Sequence, residues 1–527
     1  MKKAELLARD FATLPQLIRA GAEDHPERIA LIADERHLTY RELAALMDRV
    51  AFALQRNGVG EGGSAAICAR SSIEYAVAFF GVLAAGAAVA PLAPSATAAS
   101  LILMLKDSGA KVFFLDRDVA ATLQGAKDDS GAKRVALDGE AGGIAFADWI
   151  GPAGAAPSQV STQPDDPFDI VYSSGTTGAP KGIIQPHRMR FEQLRRRALP
   201  EHSVTMVSTP LYSNTTLVVF LPTIAHGGAA VLMAKFDAEQ FLTLSQKHRA
   251  THAMLVPVQY QRLMARPDFD RYDLSRYILK YATSAPFSAA LKADVLKRWP
   301  GGLIEYYGMT EGGGSTMLEA HLYPDKLHTV GKPIEGHDIR LIDAKGREVA
   351  KGGVGEVVGR SAAIMIGYKN QPEKTLEAEW RDAEGRRYIR TGDIGRFDED
   401  GFLILLDRAK DVIISGGFNI YPSDIEAELV RHDCVLETAV VGVPSEQWGE
   451  TPVAFVVLRP GRETAAAALK EWVNARLGKT QRLADVRIVE SLTRSAIGKV
   501  LKRDLREEYA RATSALAGKA PRRSRDG

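Results

Sequence analysis

From Tyr75 to Leu105 the chain carries no charged residue: "YAVAFFGVLAAGAAVAPLAPSATAASLILML". On length alone such a run can cross a membrane as one helix. Pro91 and Pro94 interrupt it, however, and serine and threonine follow. The pattern therefore predicts a buried helix, a buried strand ending at "APLAP", and a second helix. Neighbouring segments alternate in the same way. "LTYRELAALMDRVAFALQRNGV" has apolar residues at helical spacing behind a threonine cap and ends near a glycine. "GSAAICA" and "KVFFLD" read as short buried strands, and "ATHAMLVPVQYQRLM" and "LKYATSAP" as strands followed by loops. This alternation argues for α/β architecture with largely buried sheets. "GEAGGIAFADWIGPAGAAPSQVSTQPDDP" is rich in Gly, Ala and Pro and is expected to be a surface connection.

At 527 residues the chain exceeds what one hydrophobic core supports, so at least two domains are expected. Near residue 407 the pattern changes. "DGFLILLDRAKDVIISGGFNIYPSDIEAELV" has strands on both sides of a charged "DRAK", and a domain-sized segment follows. The expected layout is an N-terminal domain over 1–407, a hinge at 408–410 and a C-terminal domain over 411–527, with a disordered tail at 512–527. The formal net charge of +2 demands neither nucleic acid nor an acidic partner. Cys68 and Cys434 lie far apart, have no metal-ligand spacing and suit a reducing cytoplasm. "MKKAELLARDF" is not followed by an apolar run and does not read as a signal peptide.

Four clusters carry chemistry. "DIVYSS" reads as a strand with Ile170 and Val171 buried, leading into "GTTGAPKG". Gly175 and Gly178 permit close backbone approach, so that N–H groups can converge on an anion. Ser173, Ser174, Thr176 and Thr177 add hydroxyl donors, and Lys181 adds a point charge suited to phosphate. The spacing is not that of a Walker loop. "EYYGMTEGGG" offers Tyr307 for stacking on a purine, Thr310 for a phosphate oxygen and Glu311 for Mg²⁺. In "YIRTGDIGRF", Asp393 is expected at a strand end, where a carboxylate can accept two ribose hydroxyls, with Arg408 and Lys410 soon after. "RSAIGKVLKR" places Lys499 behind a flexible Ile-Gly in a basic context.

In order and rough spacing, "YSSGTTGAPKG", "YYGMTE", "RTGD", "DRAKDVIISGGFNIYP" and "RSAIGKVLKR" resemble the adenylate-forming acyl-CoA synthetase superfamily. The resemblance extends over nearly the whole chain. It implies a large N-terminal domain of αβ-sandwich subdomains and a small, mobile α+β C-terminal domain. It also implies a two-step reaction. A carboxylate attacks the α-phosphate of MgATP to give an acyl-adenylate and pyrophosphate; a thiol, usually that of CoA, then displaces AMP.

Roles carried over from the resemblance fall on particular residues. The loop from Ser173 to Lys181 would cradle the outer phosphates. Tyr307 would meet adenine, Thr310 the α-phosphate and Glu311 Mg²⁺. Asp393 would hold the ribose, with Arg408 and Asn419 nearby. Lys410 would be the hinge. Lys499 would bridge the carboxylate and the α-phosphate during the first step. Gly416 and Gly417 would pass close to the pantetheine arm, and Lys235 would meet CoA phosphate. The acyl pocket is expected around Tyr212, Ser213, Asn214 and Thr215, facing Ser284 and Ala285, with Tyr306 and Gly308 limiting it. Ser213 stands where many aryl and fatty-acid ligases have a histidine, and Gly308 where acetyl-CoA synthetases have a tryptophan.

The expected acid is uncharged or weakly polar and medium-chain, cyclic or aromatic. The expected partners are a carboxylic acid, ATP and CoA, with no nucleic acid and no stable membrane insertion, in a cytoplasmic monomer or homodimer. Two alternatives stay open: transfer of the acyl group to a separate carrier protein, and a non-catalytic nucleotide-binding relative.

Overall fold

The structure is a computed structural model describing residues 2–173, 181–415, 418–494 and 500–517. The chain forms two compact units. The larger comprises Met1–Arg340 and Val358–Thr391; the smaller comprises Leu341–Val357 and Gly392–Gly527.

Within the larger unit, two mostly parallel sheets are each covered by helices. One has the strand order Gly367–Tyr368, Lys181–Pro186, Pro167–Ser173, Ala88–Pro91, Ser64–Cys68, Val112–Leu115, Lys133–Ala136, Ile144–Ala145. The other runs Lys332–Pro333, Thr316–Glu319, Gly302–Tyr307, Leu279–Ala282, His252–Leu255, Val204–Val207, Ala229–Leu232, Ile29–Ala33, Arg36–Thr39. In the first sheet the strands from Pro167–Ser173 through Ile144–Ala145 are parallel, with Lys181–Pro186 antiparallel at one side.

The uncharged run resolves as expected into helix Ile73–Ala84, strand Ala88–Pro91 and helix Ala98–Ser108. Apart from Glu74, every residue of Ile73–Ala84 is buried, which is why no further charge is tolerated there. Phe80 stacks on Phe220 of helix Asn214–Ala225 at 5.5 Å, so one core joins elements that serve both sheets. Each such fully buried aromatic contributes about 1.5–3 kcal/mol. Helix Tyr40–Arg56 starts at Thr39 with a capping box to Glu42 and lies hard against Ile73–Ala84. A Cβ at Gly81 would lie 2.3 Å from Val50 Cγ1, so this close crossing requires glycine. No helix of the described residues is long and apolar enough to cross a membrane.

Two sequence expectations change. The Gly/Ala/Pro-rich "GEAGGIAFADWI" is not wholly a surface connection. Ile144–Ala145 closes a sheet edge, and Trp149 is buried edge-on against Phe114 at 5.3 Å. A single large aromatic anchors this otherwise weak segment. "VPVQYQRLM" is not a loop either: Pro257 occupies the first turn of helix Pro257–Met264, where its missing N–H costs nothing.

The smaller unit contains a sheet ordered Phe418–Ile420, Ile413–Ser415, Gly449–Leu458, Val435–Ser445, with Asp485–Ile488 pairing Gly449–Leu458. Helix Lys502–Ala517 packs Leu505 and Tyr509 into its core, so the expected disordered tail from 512 begins inside a helix. By contacts the units divide at Thr391–Gly392 rather than at 407. The reason is a hairpin: the second half of strand Arg387–Phe397 pairs with Leu403–Arg408, and the two travel together.

Candidate functional site

In the larger unit, strand Lys181–Pro186 organises the candidate phosphate site. It pairs with Pro167–Ser173 so that Ser173 lies opposite Lys181. Ile170 and Val171 are buried, as their pattern predicts. Ser174, Gly175, Thr176, Thr177 and Gly178 lie outside the described residues. Period-two alternation puts Lys181, Ile183 and Gln185 on one face of the strand. Ile183 pairs with Tyr368, and the Lys181 ammonium sits 5.1 Å from the centre of the Tyr368 ring. The Tyr368 hydroxyl donates to Glu311 Oε1 at 2.9 Å, and Gln185 Nε2 donates to the Thr310 carbonyl at 2.5 Å. Met365 N–H donates to the Glu311 carbonyl at 2.8 Å. Lys181, Thr310 and Glu311, distant in sequence, are thus brought together.

Tyr368 and Gln185 were not singled out from the sequence. Only the spacing of Gln185 from Lys181 hinted that they share a face. Burial and the adjacent Glu311 hold the Tyr368 phenol well above the ordinary tyrosine range, so it remains a donor. Among the described residues no three His, Cys, Asp or Glu side chains cluster as a metal cage. A lone carboxylate beside a cation suits Mg²⁺ that takes most of its ligands from phosphates and water, and Glu311 is the residue here that fits it.

Strand alternation separates the two tyrosines of "EYYG". Tyr306 projects to the face shared with Ile304, against Tyr281 at 6.2 Å; Tyr307 projects to the opposite face and pairs with Thr316 along the backbone. Glu305, on the same face as Tyr307, is buried and forms an ion pair with Lys292. Lys292 also donates to the Leu327 and Thr329 carbonyls. That pair belongs to the core.

The expected acyl-pocket residues converge in part. Ser213 precedes helix Asn214–Ala225, and Thr215 Oγ1 shares a 2.5 Å hydrogen bond with Ser284 Oγ. Ser284 holds φ at +81°, a conformation that costs a non-glycine residue about 1–3 kcal/mol. Ala285 follows on the same loop. Among the described residues the buried Asn214 Oδ1 has no partner. A Cβ on Gly308 would lie 2.6 Å from Ser315 Oγ, so the backbone there has no room for a side chain without a shift. Tyr212 is half-buried, and burial raises its phenol pKa, with Cys68 adding to the rise. Lys235 is exposed on the loop after strand Ala229–Leu232.

In the smaller unit Asp393 is not at a strand end. It lies within Arg387–Phe397, directly opposite Arg408, whose Nε is 2.8 Å from Asp393 Oδ1. The pairing with Leu403–Arg408 extends the strand past Gly392 and carries Asp393 into its interior. Asn419 is exposed in strand Phe418–Ile420. Lys410 lies in an exposed turn whose flanks are tied to one helix. Lys502 approaches Asp407 at 3.7 Å, and Arg506 holds Asp411 at 2.7 Å. Burial pushes the Asp407 carboxyl up to about 6, against the pull of Lys502. Lys499, Gly416 and Gly417 lie outside the described residues.

Comparison with known proteins identifies the family. The AMP-binding enzyme family matches residues 18–369, and the AMP-binding enzyme C-terminal domain matches residues 424–499. A 4-coumarate–CoA ligase-like protein of Oryza sativa subsp. japonica is 32% identical over 95% of this chain and 93% of its own. The fatty acid–[acyl-carrier-protein] ligase ScoC of Streptomyces coeruleorubidus is 30% identical over 94% of this chain and 96% of its own. ATP-bound MatB from Rhodopseudomonas palustris superposes with a TM-score of 0.84 at 28% identity, covering 94% of this chain and 99% of that one. With both family domains present in order, the chain belongs to the AMP-binding, adenylate-forming enzyme family.

Proposed function

We propose that this chain is an ATP-dependent acid–CoA ligase. In the first step a carboxylate oxygen attacks the α-phosphorus, the bond to the bridging oxygen breaks, and pyrophosphate leaves. In the second, the CoA sulfur attacks the acyl carbon, AMP departs, and the thiol proton is lost to solvent. The observation that carries this reading is the assembly of Lys181, Thr310 and Glu311 around Tyr368 and Gln185. A cation and a carboxylate gathered beside Thr310 suit a reaction in which a nucleotide's phosphates need charge neutralisation and no covalent intermediate forms.

Lys181 and the hydroxyls from Ser173 to Thr177 take the β- and γ-phosphates. Thr310 takes the α-phosphate and Tyr307 the adenine. Asp393, oriented by Arg408, accepts the ribose hydroxyls, and Asn419 lies beside the nucleotide. Glu311 holds Mg²⁺, which supplies charge neutralisation on the phosphates. Lys499 neutralises the charge that develops between carboxylate and α-phosphate. It then gives way as the small domain turns about Lys410, and Gly416 and Gly417 admit the pantetheine arm. Lys235 meets CoA phosphate.

The test is pyrophosphate release and thioester formation with ATP, CoA and a panel of acids. Both should appear; AMP formation without thioester would sink the CoA reading. Lys499→Ala should lose adenylation far more than thioester formation from a supplied acyl-adenylate. A second reading, transfer to a carrier protein, is favoured by the Streptomyces relative. Replacing CoA by a phosphopantetheinylated carrier protein in the same assay separates the two.

A further inference from the structure

Helix His187–Arg196 ends at Arg197, the cap residue, whose side chain turns away from its own helix. Its guanidinium lies 4.5 Å from the centre of the Tyr306 ring and 5.3 Å from that of Tyr281. One N–H donates to the Val218 carbonyl, and among the described residues the buried Nε has no acceptor. Among the described residues Arg197 forms no ion pair. A half-buried guanidinium held between aromatic faces, without a carboxylate and with an idle donor, is a costly arrangement for packing alone.

Its position gives it a use. Val218 lies one helical turn beyond Asn214, about 6 Å along the axis. Asn214 and Thr215 begin that helix, and Thr215 is bonded to Ser284. Tyr306 connects Arg197 to the same wall. Arg197 therefore contacts that helix about one turn beyond Asn214 and Thr215, two of the residues proposed to line the acyl pocket. Among the described residues Asn214 Oδ1 is likewise buried without a partner, at the start of the same helix.

We propose that Arg197 is a specificity-determining residue that selects acids bearing a second oxygen function, a ketone or carboxylate, in the tail. This rests on the ligase reading above and narrows the expectation of an uncharged or weakly polar acid, which an oxo acid meets and an ω-carboxy acid exceeds. Tyr281 and Tyr306 hold the guanidinium beside their rings, so its idle Nε–H is positioned to meet an acceptor. A plain alkyl tail would bury that donor with nothing in return.

The experiment compares kcat/KM, by pyrophosphate release, for alkyl acids and for oxo- and ω-carboxy acids of matched length. It uses the full chain and the variants R197M and R197Q, each checked for folding by circular dichroism. The wild-type chain should favour at least one distal-oxygen class. In the variants that preference should fall about 10- to 100-fold, mainly through KM, as expected for loss of a charge-assisted hydrogen bond. R197K should retain more of it for ω-carboxy acids than for oxo acids. A wild-type preference for the alkyl acids, or an unchanged ratio in whichever variant folds, would overturn the proposal alone. Pyrophosphate release with no acid at all would overturn the ligase reading and the proposal with it.

Discussion

Replacing Tyr368 by Phe removes one oxygen and leaves the ring, so it isolates the link between Lys181 and Glu311. The hydroxyl is 2.9 Å from Glu311 Oε1, in a residue 8% exposed. A hydrogen bond to a charged acceptor contributes about 1.5–3 kcal/mol. Glu311 is half-buried, so water replaces part of the loss, and about 1–2 kcal/mol remains. That corresponds to roughly a 5- to 30-fold decrease in kcat/KM for ATP. Ring packing against Ile183, Met365 and Ile389 is retained, so the melting temperature should move little. Initial rates of pyrophosphate release are measured with ATP varied at fixed free Mg²⁺, and again with Mg²⁺ varied. Y368F should raise both half-saturation concentrations. Y368L should be worse, because it also removes the ring beneath Lys181. Values within twofold of wild type for Y368F on both axes would refute the view that this hydroxyl orients the metal-binding carboxylate.

Three further outcomes are expected. Asp393→Asn loses the charge partner of Arg408 and should raise the KM for ATP about tenfold or more, measured by the same assay. Lys292→Met leaves Glu305 buried and unpaired and should cost about 3–5 kcal/mol in urea unfolding, while K292M combined with E305L should recover most of it. Burial depresses His187 and His252 to about 4, below the ordinary 6.5, so the unfolded chain binds more protons in that window. Stability should therefore fall as pH drops from 6.5 toward 4, by on the order of a few kcal/mol in all, and His252→Phe should remove part of the slope. A urea midpoint that stays flat between pH 7 and 5 would contradict this.

Local features were readable without coordinates because their causes are local. Thr39 and Glu42 cap Tyr40–Arg56 from three residues apart. The uncharged run broke into helix, strand and helix, first at Gly86 and then at its prolines. Asp393 was misplaced because strand length depends on a partner: Leu403–Arg408 extends the pairing that "RTGD" alone suggests will stop. Trp149 was missed because the composition around it reads as a loop, whereas its burial is decided by Phe114 on another strand.

The sequence by itself determined the family, through five motifs in order, and with it the residues proposed to meet ATP. Those residues carry type and spacing along the chain, which chemistry constrains strongly. Tertiary structure alone decided who supports them. Tyr368 reaches Glu311, Gln185 reaches Thr310, and Arg197 lies over Tyr306 only after two sheets bring remote segments together. Supporting contacts are side chain against side chain across long loops, and many residue types can make them. They leave little mark on the local pattern.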